Sequence, residues 1–160
     1  MMPASRLILS LTLVSACAAE PRPPSPAELA IEAVGRHIDL MPPATYLFGA
    51  ELRVPPRMGT PEEFTADTVW LMLGDTAFAE PARPCSQGSW LYDPARRPGT
   101  CWGAFAVLPD RAYSRLQPTP NERGEMSLQR IEARVRVRLT DARGRAYLLT
   151  SVPVHFSISH

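Results

Sequence analysis

Ile131-Glu132-Ala133-Arg134-Val135-Arg136-Val137-Arg138-Leu139 alternates apolar and charged residues without an error. Successive side chains of a strand point to opposite faces. The run therefore reads as a strand with Ile131, Ala133, Val135, Val137 and Leu139 toward a core and the charges toward water. Asp141-Ala142-Arg143-Gly144 follows with turn chemistry, and Leu148, Thr150, Val152, Val154, Phe156 and Ile158 continue a second alternating series. Pro153 lacks the N–H that a ladder needs, which puts this second strand at a sheet edge or gives it a bulge.

Working outward, proline and glycine punctuate short apolar runs, the pattern of a β-rich fold. Strands are expected at 45–54, 68–73, 89–92, 102–108, 128–140 and 146–158, with loops at 55–61 and 81–88. One helix is expected at the start of the domain. Ser25 is placed as its N-cap, Pro26 as its first residue and Glu28 as its third, a capping-box pattern. Leu29, Ala30, Ala33, Val34 and His37 would share a face at helical spacing, and Gly35 with Pro42-Pro43 would end it. The expected fold is mainly β: a small antiparallel β-sandwich with one short N-terminal helix packed at its side.

The chain has 160 residues, 45% of them hydrophobic, a formal net charge of +1 and 18 prolines. That length suits a single domain. The near-zero charge removes the electrostatic footprint of a nucleic-acid binder. All 17 basic residues are arginine. Without lysine, neither a P-loop phosphate site nor Schiff-base catalysis is open to the chain.

The N-terminus reads as an address. Arg6 supplies a positive charge ahead of a short apolar run at 7–14, too short for the roughly 20 residues of a membrane-spanning helix but suited to a secretory leader. Val14-Ser15-Ala16-Cys17 resembles the bacterial lipobox, an aliphatic residue and two small ones ahead of cysteine. By that resemblance the chain is similar to bacterial membrane lipoproteins. A diacylglycerol would be attached to the Cys17 thiol, cleavage would fall before Cys17, and the new amino terminus would be acylated. Ala18, rather than Asp, after the cysteine would favour the outer membrane, facing the periplasm. The alternative is an ordinary secretory leader cleaved at Ala16-Cys17-Ala18.

Two or more acyl chains hold a protein firmly where one holds it marginally. Pro21, Pro23, Pro24 and Pro26 then favour polyproline II, so the segment after the cysteine reads as a semi-rigid tether. The organisation is thus a lipoprotein leader at 1–16, a lipid-anchored proline-rich tether at 17–26 and one β-rich domain at 27–160.

With Cys17 acylated, Cys85 and Cys101 remain as a pair in an oxidising compartment, and a disulfide is expected. Closing a loop of about 15 residues is worth about 3 kcal/mol in the chain-entropy model. The spacing is not that of a metal site, and no histidine lies between His37 and His155.

No metal, cofactor or catalytic residue is expected. His37 beside Asp39 reads as a helix-end histidine, and His155 as an outer-face residue that faces Glu132 in one register. No H-E-x-x-H, G-x-S-x-G or glycine-rich phosphate loop occurs. A small hydrolase would need His37 or His155 to meet a carboxylate and a nucleophile in a concave site.

Two surfaces are candidates for binding. Arg134, Arg136 and Arg138 share one strand face at ~6.7 Å spacing, a row suited to phosphate or carboxylate ligands, or simply to a solvated face. Trp90, Tyr92 and Trp102 lie in or beside the crosslinked segment and have the chemistry of interface hot spots, although Trp102 equally suits a core strand packed on the disulfide. The reading is a non-enzymatic envelope lipoprotein, an assembly, docking or stabilising subunit of a membrane-associated complex. The alternative is a lipid-anchored periplasmic binder or inhibitor of a soluble ligand or cell-wall enzyme.

Overall fold

The computed structural model of the chain describes residues 28–53, 64–85, 100–116 and 131–159. Their elements are β1 (Ala30–Asp39), β2 (Thr45–Arg53), β3 (Phe64–Leu73), β4 (Thr76–Pro81), β5 (Arg83–Pro84), β6 (Cys101–Val107), α1 (Asp110–Leu116), β7 (Ile131–Asp141), β8 (Ala146–Thr150) and β9 (Val154–Ser159).

β7 follows its alternation. Ala133, Val135, Val137 and Leu139 are buried, whereas Glu132, Arg134 and Arg138 are exposed. β7 pairs antiparallel with β3 on one edge and with β8 and then β9 on the other. The break between β8 and β9 contains Pro153, the interruption expected of this strand. β8 lies at an edge, whereas β9 pairs with both β7 and β1. The buried positions change from Tyr147 and Leu149 before the break to Phe156 after it, leaving Leu148 and Val152 exposed. Ser151 holds the break to β7: its N–H donates to the Val135 carbonyl (2.8 Å) and its Oγ accepts from the Val135 N–H (3.0 Å).

The β7–β8 turn is built around one buried carboxylate. Asp141 accepts from the Arg143 N–H (2.9 Å), the Arg145 N–H (2.9 Å) and Nε (2.7 Å), and the Tyr147 hydroxyl (3.0 Å). Burial alone would raise its pKa. The donors from Arg145, Tyr147 and Arg143 outweigh that and bring it down to about 2. Gly144 turns the chain at φ +78°, a conformation that favours glycine.

The expected N-terminal helix is corrected where the chain is described: residues 30–39 are β1, paired antiparallel with β2. Val34 faces Gly49 and His37 faces Leu47, so Gly35 and Arg36 together oppose Phe48 in a β-bulge. Gly35 takes φ +61° there. The extra residue shifts the alternation by one. Ile31 and Ala33 face the core before the bulge and Ile38 after it, and a period of two with one slip imitates helical spacing.

The sheet is one hydrogen-bonded path, β4-β3-β7-β9-β1-β2-β6-β5, with β8 beside β7, rather than the two separate sheets of the expected sandwich. Only Ala82 separates β4 from β5, so the two ends of the path are one stretch of chain and the sheet is nearly closed, like a barrel. Counting β4 and β5 as one position, the ring has an odd number of positions. Antiparallel alternation cannot close an odd ring, and the one parallel pair, β1 with β9 at His37–Ser157 to Asp39–Ser159, resolves the mismatch.

Side chains fill the interior. Ile38, Tyr46, Phe48, Leu71, Trp102 and Phe156 are among the most deeply buried, and Tyr46 stacks on Phe48 with centroids 5.2 Å apart. Burial, and then a hydrogen bond to Glu80, raise the Tyr46 hydroxyl above its ordinary pKa. The helix α1 packs Ala112 and Leu116 into the same core and lays the Arg111 guanidinium over Phe78 of β4, 5.1 Å from the ring centre.

Candidate functional site

Among the described residues the barrel is filled by side chains, and the arginine row lies on an outer face made by β4, β3, β7 and β8. Inward Val69, Leu71 and Leu73 alternate with outward Trp70 and Met72 on β3. The register sets Thr68 opposite Arg138, Trp70 opposite Arg136 and Met72 opposite Arg134. Across the other edge Arg138 faces Leu148 and Arg136 faces Thr150. The arginine row is therefore flanked by an aromatic and a thioether on one side and an aliphatic and a hydroxyl on the other.

The three arginines differ in what already holds them. Arg138 Nε bonds both oxygens of Asp67 (2.8 and 2.9 Å), and its guanidinium lies 6.0 Å from the Trp70 ring centre. Asp67 is the extra residue between Ala66 and Thr68, where β3 shifts register against β7. The Arg138 hydrogen bond holds its carboxyl below the usual carboxylate range. Arg136 Nε donates to Thr150 Oγ1 (3.0 Å), so that side chain leans over β8. Arg134 is exposed, and no carboxylate pairs with it among the described residues.

Two shallow grooves border the row. One, of about 330 Å³, is lined by residues including Met72, Asp75, Glu132, Arg134 and Arg136; the other, of about 340 Å³, by Trp70, Arg136, Arg138, Ala146 and Leu148 among others. The row thus offers cations set beside apolar walls, with Asp75 and Glu132 limiting the charge of the first groove. A planar guanidinium in such a setting takes a carboxylate or phosphate in forked geometry.

The second expected surface divides. Cys85 and Cys101 form a disulfide, Cα atoms 5.3 Å apart. It lies outside the barrel wall against Val34 and Leu47, in a small apolar cluster separate from the main core. Trp102 points the other way and is 2% exposed, so it fills the core and presents no surface to a partner. Trp90 and Tyr92, like Cys17, lie outside the described residues. On the same outer wall Phe105 and Val107 are exposed.

The histidines are also placed. His155 is exposed and faces Glu132 across β7–β9. His37 sits over the parallel pair. The Ser157 hydroxyl donates to the Arg36 carbonyl (3.0 Å), so His37 Nδ1 is the donor to Ser157 Oγ (2.9 Å) and Nε2 accepts from Ser159 (3.2 Å). Asp39, the neighbouring carboxylate, accepts from the Met41 N–H (2.9 Å) instead. His160 is outside the described residues.

Trp70, Leu148 and Asp67 were missed as members of the outer face. Val69, Leu71 and Leu73 alternate in the sequence, which already turns Trp70 outward, whereas Asp67 depends on a bulge with no local mark. No protein-family model, no curated protein and no solved structure matches the chain.

Proposed function

We propose that this protein is a non-enzymatic, lipid-anchored docking or stabilising subunit of a bacterial envelope complex. The observation that carries the reading is the contrast between a barrel filled with side chains and an outer face where Trp70, Met72 and Leu148 border Arg134, Arg136 and Arg138. Tryptophan, methionine and arginine are enriched in protein interfaces. In a β-rich, disulfide-tied domain this composition suits a rigid surface that another protein rests on. The lipobox-like Val14-Ser15-Ala16-Cys17 and the proline-rich tether support anchoring through acyl chains on Cys17, at the outer membrane facing the periplasm.

The grooves beside the arginines also favour a second reading, a binder or inhibitor of an anionic soluble ligand or a cell-wall enzyme. In-cell crosslinking of the tagged chain, with Cys17→Ser as control, separates the two. A discrete envelope complex that weakens with Cys17→Ser is expected. Capture of one soluble partner equally by both forms would replace the first reading with the second.

A further inference from the structure

We propose that the open edge of β8 receives an extended, acidic segment of a partner protein as an added strand. The proposal rests on the docking reading above and specifies how the partner binds.

The hydrogen-bond pattern of the hairpin defines that edge. The Asp141 N–H donates to the Arg145 carbonyl (3.0 Å) and the Ser151 N–H to the Val135 carbonyl (2.8 Å). In the register that pairs Leu139 with Tyr147 and Val137 with Leu149, these bonds make the odd-numbered residues of β8 the hydrogen-bonded partners of β7. Ala146, Leu148 and Thr150 therefore direct their N–H and C=O groups away from β7. Among the described residues β8 pairs with β7 alone, and β1 comes near it without a ladder. Among the described residues nothing bonds these backbone groups.

The sequence of the strand itself does not protect this edge. Residues 146–150 contain no charge and no proline, and Leu148 is 59% exposed.

Arg136 sets the chemistry of the occupant. Its Nε bonds Thr150 Oγ1, so the guanidinium is carried over β8 toward the open edge, whereas Arg138 is turned back to Asp67 on β3. A strand laid along β8 places every second side chain on this outer face, and one opposite Thr150 comes within reach of Arg136. An Asp or Glu there gains a charge-assisted hydrogen bond, and an apolar neighbour covers Leu148. Strand addition of this kind takes its affinity from backbone bonds and its specificity from alternate side chains.

The test uses the full chain in detergent and two blocked peptides, one alternating Glu with Val and Thr, the other carrying Lys in place of Glu. Amide exchange read by NMR is expected to slow at Ala146, Leu148 and Thr150 with the Glu peptide only. Arg136→Gln should weaken its binding about tenfold. Leu148→Pro removes one outward N–H without touching the ladder to β7 and should abolish it; Leu148→Asp, which sets a carboxylate against the acidic strand, is the second variant should proline disturb the fold. Binding that survives both Leu148 changes, or equal binding of the two peptides, overturns the proposal. Protection of the same amides without peptide, rising with protein concentration, would assign the edge to a second copy and overturn it too. Should the Leu148 variants keep the crosslinked envelope complex intact, the docking reading stands and the β8 edge is excluded.

Discussion

β7 and β1 cross the same core and are written in different ways. β7 gives one face to the core and one to water over its whole length, with Val135, Val137 and Leu139 wholly buried against exposed Arg134 and Arg138. β1 buries Ile31, Ala33 and Ile38 but spends an extra residue at Gly35–Arg36 to do so. The difference teaches where this fold keeps its rigidity. An uninterrupted strand fixes its neighbours by hydrophobic register, because a slip of one residue would bury its arginines. A bulged strand joins two such registers through a backbone conformation that glycine allows.

The largest expected effect breaks the inner face of β7. Leu139→Ala removes a wholly buried side chain and is expected to cost about 3 kcal/mol, read from urea unfolding. A loss below about 1 kcal/mol would mean that the barrel collapses readily around the gap, and that β7 is not its rigid element.

Asp141→Asn, at the end of the same strand, comes next. The variant keeps the size but loses the charge that collects the donors of Arg143, Arg145 and Tyr147, at a cost of about 2 kcal/mol near neutral pH. The folded pKa of about 2 lies below the ordinary value of 3.8, so the ionised form is the one that stabilises. Its contribution is full above pH 4 and is lost as the pH falls toward 2. The stability gap between wild type and Asp141→Asn should therefore close over that interval. A gap independent of pH would remove the charge from the explanation.

Gly35→Ala tests the other strand. An alanine at φ +61° pays about 1 kcal/mol of backbone strain. No effect on the unfolding midpoint would show that the bulge can relax.

The same contrast explains how much could be read beforehand. β7, its turn and the strands at β2, β3 and β6 were legible because alternation or an apolar run bounded by turn residues marks each one. β1 was not, because one inserted residue converts period two into spacings of three and four, and Leu29, Ala33 and Val34 then imitate a helical face. α1 is seven residues long, too short to show a period against the Pro109-Asp110 background. β5 lies in the 81–88 stretch that composition reads as loop, and β4 has too short an apolar pattern to stand among the expected strands, yet they bring the two ends of the sheet together. The arginine row was legible as a row. Its internal differences were not, since Asp67 reaches Arg138 from a strand 71 residues away, and the meeting of Thr150 with Arg136 depends on the register of the hairpin.

Those differences carry the smallest effect on stability and the sharpest on binding. Arg134 and Arg136 lie on the outer face of β7 without a carboxylate partner among the described residues, so changing both to Gln should move stability by less than about 0.5 kcal/mol. Arg138→Gln breaks an exposed pair with Asp67 and should cost under about 1 kcal/mol. For an anionic probe such as inorganic phosphate the order reverses. The guanidinium held by Asp67 is already neutralised, and the uncommitted one at Arg134 is not. Titration should find the Arg134 and Arg136 double change weakening phosphate binding more than Arg138→Gln does, by a margin that shrinks with added salt. Equal losses from both would mean that the row acts as one diffuse positive field, and the pairing of Arg138 with Asp67 would then have no part in what the face selects.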